Sequence, residues 1–584
     1  MAMIYREWRS LTLDDLDDLD VGTGQAFVHG NTVVYLSISK KSERHLTHRS
    51  SWYLCQNESH PVYESLKFVI EVEVHQQLRA FLRQQGESYW PHHLTMARLV
   101  ARALRLGRSA LLQTGAFSGY HERYRLSYLV PVLMWQEAVI LVAPESVHQR
   151  LLMVEIPQLQ QWIRTTKPIQ TGDRFPHPHF QGLLLTTPAA WLSDRLLNQG
   201  RFPDGIPTVL DGVDDLEGWT RTHLTTQIQP SDWDTLMLAC PEQADLIRDV
   251  RVQLTKTLFQ HPTNPYECYL IDEIEQAALT TLFQTIAVPA PAPDMTGLPA
   301  TWNQFGQAFF TEGQLLWAEL IRRQGQFSLH CSPADIATNL QAIWSRQPVV
   351  LIGGALDLDA DACAYRQRLG LDIDLTSLKF SPDRQEELIH LYLPDRLPMP
   401  NTPQFQAALL QEMHTLLRVS SGTPGLIVLL VGDTPLKAQV GSVLASEFGS
   451  RVQVERTCLD ENGVLVTGWE FWRQHQRVLP APHLLAIATL PIPSLEHPLV
   501  AGRVAHYKRL RQDWFRLYLL PTALSELQRA IAPVRERQGV VALLDSRVVH
   551  RSYGQQILSA LHPLARISYL DASLFSQPDY FIVD

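Results

Sequence analysis

Cysteine, lysine and long apolar runs are scarce in this 584-residue sequence. Its six cysteines stand at positions 55, 240, 268, 331, 363 and 458, and no CxxC pair occurs. This spacing indicates reduced thiols rather than a disulfide framework or a zinc site. No apolar run is long enough to span a membrane, and the first residues lack the basic and apolar regions of a secretion signal. We therefore expect a soluble, cytoplasmic protein that binds no membrane.

Lysine is absent between Lys67 and Lys167. A Walker-type phosphate loop holds phosphates with glycine N–H groups and a lysine ammonium. Within the gap, residues 111–124 (LLQTGAFSGYHERY) contain Gly115 and Gly119 but no lysine. Arg123 and Arg125 are the nearby strong bases, yet a guanidinium is a wide fork that does not fit the cradle of a compact ammonium. The segment therefore predicts either a defective phosphate loop or an ordinary surface turn.

The composition is that of a globular protein with sizeable cores. Apolar residues make up 45% of the chain, charged residues 19%, and the net charge is −10. This acidic balance excludes a broadly basic protein that coats nucleic acid, although it leaves room for a local basic groove. The length corresponds to about three to five domains.

Short apolar runs between helical stretches predict parallel sheets that are covered on both faces. The predicted strands fall into two groups: residues 109–112, 138–143, 182–187, 207–211 and 348–352, followed by 425–431, 484–489 and 539–544. We expect an α/β fold with a first parallel-sheet domain (89–216 and 331–365) and a second one (366–584). Residues 217–330 read as a helical insertion. Residues 1–88 read as a small α+β module that contains a hairpin with a Gly30-Asn31 turn.

Several segments of the last third resemble a known family. Residues 469–473 (WEFWR), 490–503 (LPIPSLEHPLVAGR), 518–528 (YLLPTALSELQ) and 539–547 (GVVALLDSR) follow the order and spacing of motifs in DinG/XPD-type superfamily 2 DNA helicases. Upstream, residues 128–131 (YLVP) and 391–400 (LYLPDRLPMP) also fit. The resemblance implies two RecA-like motor domains with an arch-like insertion, ATP and magnesium bound between the motors, and unwinding of DNA in the 5′ to 3′ direction.

The residues that would carry ATP chemistry in that family depart from its pattern. Residues 207–217 (PTVLDGVDDLE) keep the magnesium-binding carboxylate as Asp211, but Gly212 replaces the water-activating glutamate. Asp214, at the family's histidine position, is the nearest substitute. Residues 351–356 (LIGGAL) lack the hydroxyls that couple ATP to domain movement, and the adenine-side glutamine appears as His93.

In the last motif, residues 528–535 (QRAIAPVR) retain Gln528 and Arg535, but Ala532 replaces the first arginine. Such an arginine accelerates hydrolysis by a factor of about 10³ to 10⁵. The remnants of the nucleotide site are thus Gly115, Gly119, Asp211, Gln528 and Arg535, with Asp211 a metal ligand only if Mg-ATP binds. Because no cysteine lies between Cys55 and Cys240, we expect no iron–sulfur cluster, and no cofactor.

Three functions remain open. The first is a helicase-family scaffold that binds single-stranded DNA or another nucleic acid, or a protein, without hydrolysing ATP. The second is an active ATP-dependent helicase with diverged motifs. The third is a purely protein-binding platform that acts through residues 1–88 or the insertion.

Overall fold

The computed structural model describes most of the chain. The described residues are the backbones of 25–29 and 32–36, and residues 70–85, 90–115, 124–286, 298–372, 374–381, 388–460 and 462–575. Residues 1–66 form one compact unit and residues 67–584 a second. In the first unit, β1 (Gln25–His29) and β2 (Thr32–Leu36) pair antiparallel, as the hairpin prediction requires.

From residue 70 the second unit alternates helices and strands. In order these are α1 (Ile70–Gln85), α2 (His93–Leu106), β3 (Ala110–Gln113), α3 (Arg125–Met134), β4 (Val139–Val142), α4 (Glu145–Arg150), α5 (Ile156–Ile163), β5 (Ile169–Thr171), β6 (Leu183–Thr186), α6 (Pro188–Leu197), β7 (Thr208–Asp211) and α7 (Leu216–Leu224). Helix α1 packs on α2 and α3 within the apolar core of the first sheet. It therefore belongs to this domain, although the sequence placed it in the module that ends at residue 88.

The insertion that follows contains a sheet as well as helices. Its elements are β8 (Thr226–Ile228), α8 (Pro230–Ala239), α9 (Ala244–Gln260), β9 (Cys268–Leu270), α10 (Glu273–Ile286), α11 (Ala300–Phe309), β10 (Gln314–Ile321) and β11 (Gln326–Pro333). The strands form an antiparallel sheet in the order β8-β11-β10-β9. Trp233, Trp302, Phe283 and Phe305 fill the core between this sheet and the helices. The prediction of a helical insertion missed this sheet.

The chain then returns to the first sheet through α12 (Ala337–Trp344), β12 (Val349–Gly353), α13 (Cys363–Leu369) and β13 (Thr376–Lys379). The completed sheet has seven parallel strands in the order β13-β3-β12-β7-β4-β6-β5. Because β13 pairs with β3, the first domain extends beyond the boundary expected at residue 365. Strand β13 is mostly polar (TSLK) and half-exposed, so it lacks the apolar run by which the other strands are recognised.

The last part of the chain builds a second parallel sheet. Its elements are β14 (Ile389–Tyr392), α14 (Phe405–Val419), β15 (Ile427–Leu430), α15 (Thr434–Phe448), β16 (Val452–Val454), β17 (Val464–Thr467), α16 (Trp469–His475), β18 (Leu484–Ile487), α17 (Pro498–Arg509), α18 (Leu520–Arg535), β19 (Val540–Leu543), α19 (Arg547–His550), α20 (Gly554–Ala560) and β20 (Leu564–Ile567). The seven strands follow the order β16-β17-β15-β18-β19-β14-β20. The predicted fold class, with two parallel-sheet α/β domains, is confirmed.

None of the helices in the described part of the chain combines the length and the apolar character that a bilayer crossing requires.

Candidate functional site

The sequence-predicted site residues of the first domain lie at the carboxyl ends of central strands in the first sheet. Strands β3, β12 and β7 are adjacent and parallel, so their carboxyl ends lie together. Thr114 N donates to Gly353 O (2.8 Å) and Gly115 N to Gly354 O (3.1 Å), and Gly115 has a φ of 90°. The two segments are therefore joined beyond the strand ends. Gly119 lies outside the described residues.

Asp211, the last residue of β7, is buried with 1% exposure and engaged by three side chains. Tyr124 Oη donates to Oδ1 at 2.6 Å, while Arg125 Nε and Tyr128 Oη donate to Oδ2 at 2.8 and 2.9 Å. The Arg125 side chain is itself only 3% exposed. Burial, and after it the Asp211 carboxylate, raises the pKa of Tyr128, which keeps its hydroxyl a donor. Both Asp211 oxygens thus accept hydrogen bonds, and a guanidinium balances their charge.

The residues after Asp211 are tied to the neighbouring strand end. Gly212 has a φ of 81°, offers no carboxylate and donates its N–H to Ile352 O. Asp214 accepts from the backbone N–H groups of Gly354 (2.9 Å) and Ala355 (3.0 Å). Burial raises the pKa of Asp214 to about 6, against the opposing effects of Arg529 and these two hydrogen bonds. Asp214 therefore holds the turn after β12.

Two other predicted residues donate hydrogen bonds to backbone carbonyl groups around residues 560–563. Gln528 Nε2 donates to Ala560 O at 3.0 Å. Arg535, 6% exposed, donates from Nη2 to Leu561 O (2.6 Å) and His562 O (3.1 Å). These contacts lie within the second domain. The structure does not bring Gln528 or Arg535 together with Asp211, and it gives both of them structural hydrogen bonds.

Arg529, on α18, reaches the first domain, and the motifs of the sequence did not single it out. Its Nη2 donates to Asp215 Oδ1 at 2.8 Å across the cleft between the two sheets. Ala532, one helical turn further along α18, also lines this cleft. The i, i+3 spacing puts positions 529 and 532 on one face of the helix, and that spacing was the signal available in the sequence.

His93 occupies the position where the resemblance implies an adenine-recognising glutamine. It is 1% exposed, and its Nδ1 lies 2.8 Å from Ser127 Oγ on α3. The Trp90 ring packs edge-on against His93 and against Phe380, the residue that follows β13. Local packing and a side-chain hydrogen bond thus account for His93.

The cleft between the two sheet domains has a volume of about 1370 Å³ and is lined from both sides. Glu217 Oε1 accepts from Arg221 Nε (3.2 Å) and Nη2 (3.1 Å), and Arg368 Nη1 lies 3.2 Å from its Oε2. Burial opposes ionisation, yet Arg368, Arg221 and Arg503 together lower the pKa of Glu217 to about 2. The cleft therefore contains an ionised carboxylate among three guanidinium groups, which the sequence alone did not reveal.

Comparison with known proteins identifies helicase relatives. No protein-family model matches the chain. Over 265 residues it is 26% identical to a protein of Haemophilus influenzae named ATP-dependent DNA helicase YoaA. The matched region covers 43% of this chain and 40% of that protein. A protein of the same name from Escherichia coli is 24% identical over 280 residues, or 44% of this chain and 42% of that protein. The chain thus matches about two fifths of the length of these curated relatives.

Among solved structures, the fold is similar to that of XPD proteins. Xpd4 of S. tokodaii superposes with a TM-score of 0.53 at 12% identity, covering 82% of this chain and 100% of that one. A structure described as an XPD helicase gives 0.53 at 11% identity with the same coverage. Identities this low show the fold alone. The sequence relatives and this fold together confirm the predicted resemblance to DinG/XPD-type superfamily 2 helicases.

Proposed function

We propose that this chain is a helicase-family protein that binds nucleic acid, with or without a protein partner, as a scaffold and does not hydrolyse ATP at Asp211. The observation that carries the proposal is the engagement of both Asp211 oxygens by Arg125, Tyr124 and Tyr128. In an ATP-driven motor this carboxylate holds magnesium. Here its charge is already balanced by a guanidinium.

Magnesium would have to displace Arg125 before it could use Asp211. Arg125 and Asp211 are 3% and 1% exposed, so their ion pair is poorly screened by solvent. Separating such a pair leaves an uncompensated buried charge, which typically costs about 3–5 kcal/mol. Mg²⁺ also demands near-octahedral oxygen coordination, whereas two tyrosine hydroxyls already donate to the same carboxylate. This competition supports the absence of a bound Mg-ATP cofactor.

The other catalytic positions support the same conclusion. Gly212 has no side chain that could activate water. Gly353, Gly354 and Ala355 have no hydroxyl, and the N–H groups of the last two are bonded to Asp214. Ala532 faces the cleft where the resemblance implies an arginine. Hydrolysis requires a base, a metal and charge stabilisation together. The base and the arginine are replaced, and the retained metal ligand, Asp211, is paired with Arg125.

The nucleic-acid part of the proposal rests on the helicase relatives and on the paired RecA-like domains. Proteins of this kind contact the phosphate backbone, and such contacts need no hydrolysis to persist. The expected ligand is single-stranded DNA or another single-stranded nucleic acid. Binding should weaken as salt rises, because backbone contacts release counterions.

The test is a pair of measurements on one preparation of the full chain. ATP hydrolysis is followed with magnesium, with and without single-stranded DNA, and fluorescence anisotropy follows binding of a labelled single strand at low and high salt. We expect background hydrolysis and salt-sensitive binding. An uncharged oligomer serves as the binding control.

Other outcomes separate the alternatives. DNA-stimulated hydrolysis that Asp211→Asn abolishes would establish an active helicase and overturn the loss of ATP chemistry. No preference for DNA over the uncharged oligomer at low salt, together with a stoichiometric partner that copurifies, would establish the protein-binding platform instead.

A further inference from the structure

The cleft brings together three arginines from three helices. Arg221 lies on α7 and Arg368 on α13, both in the first domain, whereas Arg503 lies on α17 in the second. The side chains of Arg221 and Arg368 are only 13% and 11% exposed. All three residues line the 1370 Å³ cavity. Three cations from separate helices therefore line one cleft.

These guanidinium groups have more donors than the surrounding protein accepts. Arg221 Nη1 is satisfied by Pro333 O (3.0 Å), but Arg368 Nε and Arg503 Nε are buried without a hydrogen-bond partner in the described part of the chain. Arg503 Nη1 donates to the Tyr518 hydroxyl at 3.3 Å, and its guanidinium lies 5.7 Å from the centre of that ring. An acceptor that enters the cavity would therefore meet guanidinium groups whose donors the protein satisfies only in part.

Within the cluster itself, the three guanidinium groups outnumber the one carboxylate that pairs with them. Glu217 is the carboxylate that pairs with Arg221 and Arg368. Asp215 pairs with Arg529, and the Asp335 carboxylate is exposed to solvent. Burial and then Arg503 lower the pKa of His497, which keeps that imidazole neutral near pH 7. Burial also raises the pKa of Glu536, another residue of the cavity wall, to about 7, so this carboxyl group is only partly ionised.

We propose that Arg221, Arg368 and Arg503 form a binding site for a phosphate group of a small phosphorylated ligand. A guanidinium group can donate two parallel hydrogen bonds to two oxygens of one phosphate. Each of these charge-assisted hydrogen bonds is stronger than a neutral one. A phosphate dianion would also balance the excess positive charge within this cluster. Because Arg503 approaches from the second domain, the bound anion would join the two domains. Asp211 is not among the residues that line this cavity, and the proposed site does not depend on whether ATP is hydrolysed.

Calorimetric titration of the full chain with inorganic pyrophosphate tests the site. A metal chelator is present, so that Mg-dependent nucleotide chemistry does not contribute, and sodium chloride keeps the ionic strength constant. We expect saturable binding that Arg503→Gln and Arg368→Gln each weaken about tenfold or more, the equivalent of one lost charge-assisted contact. Arg516→Gln is the matched control, because this arginine lies in the same domain and is 77% exposed. It should bind like the wild type.

Failure would be visible in the same titrations. Absence of saturable binding, or equal binding by Arg503→Gln and the wild type, overturns the proposal. Arg503→Lys provides a second readout because it keeps the charge but loses the fork, and it should bind with intermediate affinity. Circular dichroism confirms that each variant is folded. A short single strand of DNA that displaces pyrophosphate in an Arg503-dependent way would identify backbone phosphate, rather than a small ligand, as the source of the anion.

Discussion

Arg125 Nε lies 2.8 Å from Asp211 Oδ2, and both side chains are almost completely buried. The two residues are 86 positions apart in the chain. The ion pair gives Asp211 a structural partner at the position where the family resemblance implies a metal, and we expect it to contribute to stability.

Arg125→Met should destabilise the protein by about 3–5 kcal/mol, because Asp211 is left buried and uncompensated. Urea unfolding measures the change. Adding Asp211→Asn to Arg125→Met should recover part of the loss, since the double variant contains neither charge. Arg516→Met, on the surface, is the control and should stay near the wild-type value. A loss below about 1 kcal/mol for Arg125→Met would show that the pair contributes little.

Tyr128→Phe removes a hydrogen bond to the Asp211 carboxylate, the partner of Arg125, whereas Tyr365→Phe removes one from its hydroxyl to the neutral Val213 carbonyl (2.7 Å). Both rings are buried, so the substitutions differ mainly in the acceptor. We expect a loss of about 1.5–3 kcal/mol for Tyr128→Phe and about 1 kcal/mol for Tyr365→Phe. Denaturant unfolding of the two variants side by side checks the order, and equal losses would contradict it.

The Asp215–Arg529 bridge joins the two sheet domains, but the Asp215 side chain is 45% exposed. A double-mutant cycle with Asp215→Asn and Arg529→Gln should therefore give a coupling of about 0.2–1 kcal/mol. Solvent ions screen an exposed pair, so the coupling should shrink in high salt. A coupling that does not change with salt would indicate that the bridge is shielded from solvent.

His483 should make the protein less stable in acid. Burial, followed by Arg537 and Arg451, lowers the pKa of His483 from 6.5 to about 4. The unfolded chain therefore binds a proton that the folded chain rejects, and stability falls as pH drops from 6.5 towards 4. His483→Leu should flatten this part of the stability profile, measured by unfolding at a series of pH values. His550→Gln, at an exposed position, should leave the profile unchanged, and an unaltered slope in His483→Leu would contradict the prediction.

Alanine substitutions at Gly370 and Gly313 distinguish the cost of a steric clash from the cost of a left-handed backbone. Their φ values are 63° and 78°, but an added Cβ would lie 2.3 Å from Ala337 O at Gly370 and would meet nothing within 4 Å at Gly313. Gly313→Ala should cost about 1 kcal/mol from the left-handed backbone alone. Gly370→Ala should cost more, because the α13 end must move away from α12. Thermal unfolding compares the two, and equal melting temperatures would contradict the clash.

The sequence predicted the regular part of the fold and missed its irregular boundaries. Apolar runs such as those at β4 and β18 are recognisable because both faces of a parallel sheet are buried. Strand β13 carries a polar sequence, and the strands of the insertion are flanked by long helices, so the same signal failed there. Helix α1 has an ordinary amphipathic pattern that does not identify the core against which it packs.

For the candidate site, too, the sequence and the tertiary structure determined different properties. The sequence alone determined which chemical groups are present: Asp211 is retained, whereas Gly212 and Ala532 contribute no carboxylate or guanidinium. Only the tertiary structure decided how the retained groups are used. It pairs Asp211 with Arg125, directs Arg535 to backbone carbonyls, and places Arg503 beside Arg221 and Arg368. Contacts between residues far apart in the chain depend on how helices pack on the sheets, and local sequence patterns do not encode that packing.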